Sequence, residues 1–112
     1  MVIIVLIPAG WGGADAWAGA GLEVALYGSA GELSQQLRGS FDGAVLVSDG
    51  IAEGDLGEVA SAVAASGRPV IEVRTERWDG KSPSALSAAC RGVISGFGRA
   101  GVGAAVEALR AG

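Results

Sequence analysis

Apolar runs alternate along the chain with amphipathic or small-residue segments. The runs at Val2–Ile7, Leu22–Tyr27, Gly43–Ser48, Pro69–Arg74 and Gly92–Ser95 predict five strands. VIIVLI (2–7), GAVLVS (43–48) and GVIS (92–95) are near-continuous apolar runs, the pattern of parallel strands covered on both faces. Helices are predicted between and after them. Ser29-Ala30-Gly31-Glu32 has the form of a capping box and opens a helix that runs to about Arg38. Asp55-Leu56-Gly57-Glu58 is a similar acidic start, Val59, Ala62 and Val63 give its apolar stripe, and Gly67 stops it. Ser84–Cys90 predicts a short helix or turn. Ala100–Leu109 predicts the last helix, with Val102, Val106 and Leu109 on one side.

Strand–helix units joined by right-handed crossovers predict a flavodoxin-like, doubly wound α/β domain. Its five-stranded parallel sheet takes the order 2-1-3-4-5, and one domain covers residues 1–112. In such a sheet a ligand binds where the strand order reverses, outside the C-terminal ends of strands 1 and 3. The segments Pro8–Gly13 and Ser48–Glu53 fall there, flanked by the loop Thr75–Ser82.

Composition narrows the function classes. The 112 residues suffice for one domain, half of them are apolar, and only 18% are charged. So little polar surface favours self-association. A net charge of −4 offers no basic footprint for nucleic acid. Val2–Ile7 is too short to span a bilayer and lacks a basic leader. One cysteine, Cys90, excludes an intrachain disulfide and suits a cytoplasmic location. Histidine is absent, which removes a Ser–His–Asp triad and leaves no basis for a structural zinc site. No metal and no cofactor is implied. Gly96-Phe97-Gly98-Arg99-Ala100-Gly101 matches G-x-G-x-x-G, but only 11 residues follow it, too few for the next strand of a dinucleotide site.

Several stretches resemble one family. RPVIEVRTER (68–77) is similar to the type II 3-dehydroquinate dehydratase segment in which Pro-hydrophobic-Ile-Glu-Val precedes a catalytic His. RGVISGFGRAGVGAAVEAL (91–109) resembles that family's Gly-Phe-Gly stretch and last helix. FDGAVLVSDG (41–50) resembles its strand ending in Asn-Pro-Gly, and LEVALYGSAGELSQQL (22–37) its second strand and helix start. The resemblance implies the sheet above and trimers assembled into larger shells, so a trimeric or dodecameric homo-oligomer is expected. It also implies close helix–sheet packing at the Gly-Phe-Gly stretch.

The departures from the family are concentrated in its chemistry. The Asn-Gly-Pro-Asn loop is replaced by Ile7-Pro8-Ala9-Gly10, and the lid with its Arg and catalytic Tyr has no counterpart. Tyr27, the only tyrosine, ends strand 2 and is no substitute. Ser48 stands for the family's Asn and Arg74 for its His, and only Lys81 stands near its substrate-binding Arg. Dehydration of 3-dehydroquinate is therefore not expected.

Candidate chemistry rests on what remains. Glu72 and Arg74 share a strand face roughly 6–7 Å apart along the chain. They read either as a structural ion pair, within the chain or to a neighbouring subunit, or with Arg74 as an anion or oxyanion binder at the position of the family's His. Asp49 and Glu53, nearest the switch point, and Asp15 in the first loop are candidate acid/base groups beside Arg74. Asp55 and Glu58 read as helix-start residues. Trp11, Ser48, Glu72, Thr75, Glu76, Arg77, Trp78 and Lys81 are candidate substrate contacts. Trp11 and Trp78 either wall a pocket or form a subunit interface. Ser61, Ser66, Ser84 and Ser87 have no base nearby in sequence and read as caps and surface.

Three functions fit. The first is a cofactor-free lyase or cyclase of secondary metabolism acting on an apolar, cyclic or polyketide-type carbonyl compound. The second is a non-catalytic, oligomeric binding or assembly protein on the same scaffold. The third is an enzyme like the nucleoside deoxyribosyltransferases, whose strand–acidic-loop–helix layout resembles residues 49–63 loosely and requires a nucleophilic carboxylate. A small-molecule ligand is expected, and neither nucleic acid nor membrane.

Overall fold

The structure is a computed structural model, and it describes residues 2–11, 21–75 and 85–111. The strands are β1 (Ile3–Pro8), β2 (Leu22–Tyr27), β3 (Gly43–Val47), β4 (Val70–Arg74) and β5 (Gly92–Ser95). The helices are α1 (Ala30–Leu37), α2 (Leu56–Ser66), α3 (Ala85–Ala89) and α4 (Ala100–Ala111). All strand pairings are parallel, in the order β2-β1-β3-β4-β5. The predicted doubly wound α/β sheet is the observed one. β1, β3 and β4 end or begin one residue from their predicted bounds, and α4 continues to Ala111.

The period-two alternation of a strand sends neighbouring side chains to opposite faces. Ile4, Leu6, Ala44, Leu46 and Val70 meet Leu33, Leu37, Val59, Val63 and Leu86 from α1, α2 and α3. Ile3, Val5, Ile7, Val45, Val47, Ile71 and Val73 meet Val102, Ala105, Val106 and Leu109 from α4. Every residue of β3 is buried, which explains its unbroken apolar sequence. Burying one such Val, Leu or Ile side chain contributes about 1.5–3 kcal/mol.

Local chemistry sets the helix ends. Ser29 caps α1, its Oγ accepting from Glu32 N at 3.2 Å. Gly67, at φ 66°, closes α2 in the left-handed conformation, its N–H bonded to Ala64 O. The acidic start of α2 differs from expectation. Asp55 sits at the cap position in helical conformation and makes no side-chain cap bond. The turn before it, Glu53–Asp55, is a 3-10 helix that feeds the chain into α2 without a side-chain acceptor.

Close packing fixes two glycines near the C-terminal edge of the sheet. A Cβ on Gly50 would lie 2.9 Å from Pro8 Cβ and 3.2 Å from the Tyr27 hydroxyl. A Cβ on Gly101 would lie 3.0 Å from Val73 Cγ1, which brings α4 onto the sheet as the resemblance implied. No helix among the described residues is long and apolar enough to cross a membrane.

Candidate functional site

The C-terminal ends of β1, β3, β4 and β5 lie along one edge of the sheet, and most described candidate residues gather there. At the centre is Glu72. It is fully buried (0% exposed) on the α1–α3 face of β4, paired in register with Leu46 of β3 and Val93 of β5. A carboxylate without water requires donors. Glu72 has three: Ser48 Oγ reaches Oε2 at 2.7 Å, Arg74 Nε reaches Oε2 at 2.7 Å, and Ser87 Oγ reaches Oε1 at 2.7 Å. Arg74 NH2 also donates to Ser87 Oγ at 3.0 Å. The Glu72–Arg74 pair is thus formed within one chain, and the Arg74 side chain keeps 24% of its surface exposed.

Ser87 is the participant that sequence reasoning missed. It reads as helix surface because its partners lie 13 and 15 residues earlier in the chain. The available signal was Glu72 itself. A glutamate between Ile71 and Val73 on a strand covered on both faces needs donors, and the helix following its own strand is the nearest source.

Asp49 and Thr75 form the next contact along the edge. Thr75 N donates to Asp49 Oδ1 at 3.1 Å, and Thr75 Oγ1 donates to Asp49 Oδ2. Asp49 thereby ties the short 3-10 turn Ser48–Gly50 to the end of β4. Thr75 O in turn accepts from Gly98 N at 3.1 Å, and Arg74 O accepts from Gly96 N at 3.2 Å. Glu53 stands exposed in the second 3-10 turn.

Tyr27 lies beneath this edge. Its side chain is 3% exposed, and its hydroxyl donates to Val47 O. Burial raises its pKa above the ordinary phenol value, an N–H bond from Gly50 acts in the opposite sense, and the nearby Asp49 charge raises it further. Cys90 flanks Glu72. Burial pushes its thiol up to about 12, with the Glu72 charge adding to the rise and Arg74 opposing it. A thiol so placed stays protonated and inert at neutral pH.

Trp11 and Arg99 supply the α4 side. Trp11 packs, partly buried, against the cluster under α4, and the Arg99 guanidinium lies 4.5 Å from its ring centroid. The indole therefore finds cover within the chain. Phe97 does not: it is 67% exposed, on a turn where Gly96 and Gly98 both have positive φ. The expected close packing at this stretch is made by Gly101 and not by Phe97.

Of the sequence-derived candidates, the fold unites Ser48, Glu72 and Arg74 in one network. It places Asp49 with Thr75, and Trp11 with Arg99. Asp15, Glu76, Arg77, Trp78 and Lys81 lie outside the described residues. Among the described residues, no group of three His, Cys, Asp or Glu side chains is arranged to hold a metal ion.

No protein-family model and no curated protein matches the chain. Solved structures do. The type II dehydroquinase of Butyrivibrio crossotus superposes with a TM-score of 0.69 at 15% identity, over 97% of this chain and 96% of that one. A 3-dehydroquinate dehydratase-like protein of Bifidobacterium longum gives 0.59 at 21% identity, over 96% of both chains. The chain therefore has the dehydroquinase fold over essentially its whole described length. At these identities the likeness is one of fold, and activity has to be argued from the site.

Proposed function

We propose that this dehydroquinase-fold protein binds an apolar, carbonyl-bearing small molecule at the C-terminal edge of its sheet and acts on it as a cofactor-free lyase or cyclase. The observation that carries the reading is Arg74. It is a partly exposed cation at the ligand edge, held in one orientation by a fully buried carboxylate. Burying Glu72 is costly, and an apolar pair in place of Glu72 and Arg74 would fill the same space about as stably. A preoriented cation is what such an arrangement gives in return, and it suits charge that develops on a carbonyl oxygen as an adjacent proton leaves. A carboxylate of the loop after β3, Asp49 or Glu53, accepts that proton. Phe97, 67% exposed, offers apolar surface on the same edge.

The substrate in this reading is not 3-dehydroquinate. The Tyr, His and Asn that the resemblance assigns to that reaction are replaced here, Arg74 standing for the His and Ser48 for the Asn.

A second reading, a non-catalytic binding or assembly protein, draws on a different observation. Both carboxylate oxygens of Asp49 accept from Thr75, and Glu72 is spent on three donors. The same occupancy of Asp49 weighs against the deoxyribosyltransferase-like reading, which needs a carboxylate free to attack.

Incubation with a broad panel of carbonyl metabolites, followed by mass spectrometry, separates these readings. The lyase or cyclase reading predicts depletion of a panel member by the wild type, loss of that turnover in Arg74→Ala, and no consumption of 3-dehydroquinate. Binding without depletion supports the second reading. Full turnover by Arg74→Ala removes the first.

A further inference from the structure

The Arg74 guanidinium is gripped from two elements at once. Glu72, on its own strand, accepts from Nε at 2.7 Å. Ser87, on α3, accepts from NH2 at 3.0 Å and gives its own proton to the other Glu72 oxygen at 2.7 Å. The three side chains close a ring in which each is bonded to both others. The Ser87 hydroxyl uses its donor and an acceptor together, so its rotor is fixed as well.

This ring exceeds what an ion pair or a docked helix requires. Glu72 already has Ser48 as a second donor. α3 is held independently of Ser87 by Leu86, which is 0% exposed, and by the chain after it, where Arg91 N donates to Val70 O at 2.8 Å. What Ser87 adds is restraint at the far end of a long side chain. A free arginine must give up rotational freedom when it meets a ligand, and one fixed in advance does not.

We infer that Ser87 is a positioning residue for Arg74, and that through it α3 sets how the ligand oxygen is met. This rests on the reading of Arg74 as the ligand's charge partner. The ring also limits the contact. The single Nε hydrogen is committed to Glu72, so the side-on fork to a carboxylate that uses Nε is closed. The ligand is met end-on through the Nη groups, as suits a carbonyl oxygen or an enolate.

The test uses the full chain labelled with nitrogen-15, in the wild type, Ser87→Ala, Ser87→Thr and Ser87→Val. Thr restores the hydroxyl, and Val copies its shape without one. Two quantities are read by nuclear magnetic resonance: the rate of rotation about the Arg74 Cζ–Nη bonds, and the affinity for sodium benzoate, a probe with one ring and one carboxylate. Melting temperature and α3 amide exchange establish that each variant is folded. The expected result is faster rotation in Ser87→Ala and Ser87→Val and near-wild-type rotation in Ser87→Thr. Benzoate binding should weaken about tenfold in the first two, or about 1.4 kcal/mol. Unchanged rotation in folded Ser87→Ala and Ser87→Val overturns the inference. Faster rotation with unaltered benzoate affinity overturns it too, while the Arg74 reading stands. If benzoate leaves the wild-type Arg74 signals unmoved, the Arg74 reading fails and Ser87 is reduced to a structural contact.

Discussion

Replacing Glu72 by Gln changes one atom at the centre of the site. The amide can keep its oxygen where Oε2 lies and retain the bonds from Ser48 and Arg74 Nε. Its nitrogen, placed where Oε1 lies, then faces Ser87, whose hydroxyl must turn to accept it. What is lost is the charge. A hydrogen bond to a charged group contributes about 1.5–3 kcal/mol and a neutral one about 1 kcal/mol. Breaking a fully buried pair costs about 3–5 kcal/mol, but Arg74 is 24% exposed and regains some hydration, so the low end of that range is the ceiling here. Glu72→Gln should therefore destabilise the fold by about 2–3 kcal/mol. Urea unfolding followed by circular dichroism measures it, and a constant slope shows that the unfolded state has not changed. The melting temperature should fall by roughly 8–12 °C, at about 4 °C per kcal/mol for a chain of this size. The double variant Glu72→Met with Arg74→Met should recover stability to within about 1 kcal/mol of the wild type, because an apolar pair needs no donors. A Glu72→Gln variant within about 0.5 kcal/mol of the wild type would refute the view that a buried charge organises this edge.

Other positions give independent checks. Tyr27→Phe removes the donor to the buried Val47 carbonyl and should cost about 1–3 kcal/mol in urea unfolding, since that acceptor is left without its partner. Gly50→Ala drives a Cβ to within 2.9 Å of the Pro8 ring and should destabilise by about 1–3 kcal/mol, with the largest amide shifts in the Ser48–Gly50 turn and at Pro8's neighbours. Cys90 holds its proton more tightly folded than unfolded, its pKa rising from 9.0 to about 12. The sign is then fixed: the unfolded chain releases this proton first, so stability is full below pH 9 and declines as pH rises toward 12. Cys90→Ala should flatten part of that alkaline decline, and identical alkaline limbs in the two proteins would contradict the burial of the thiol.

Much of the fold is legible in the sequence because its determinants are local. VIIVLI has the pattern of a strand covered on both faces, and β1 is buried along Ile3–Ile7. Ser29 and Gly67 act at the helix ends where they stand. Asp55 shows the limit of that logic: its residue type suits a cap, but the preceding 3-10 turn leaves its backbone helical and its side chain unused. The site is less legible because its contacts join distant positions. Ser48 and Glu72 are 24 residues apart, and Asp49 and Thr75 are 26 apart. Strand order brings these loops together, so placing them at one edge followed from topology, while their pairings did not. Trp11 likewise meets Arg99, a residue 88 positions later whose proximity depends on where α4 begins.

The central question is whether Arg74 meets a ligand. Native mass spectrometry of the wild type and Arg74→Ala, each presented with the carbonyl panel, tests this most directly. A carbonyl compound should be retained by the wild type and lost from folded Arg74→Ala. Equal retention by both proteins would contradict the proposed role of Arg74.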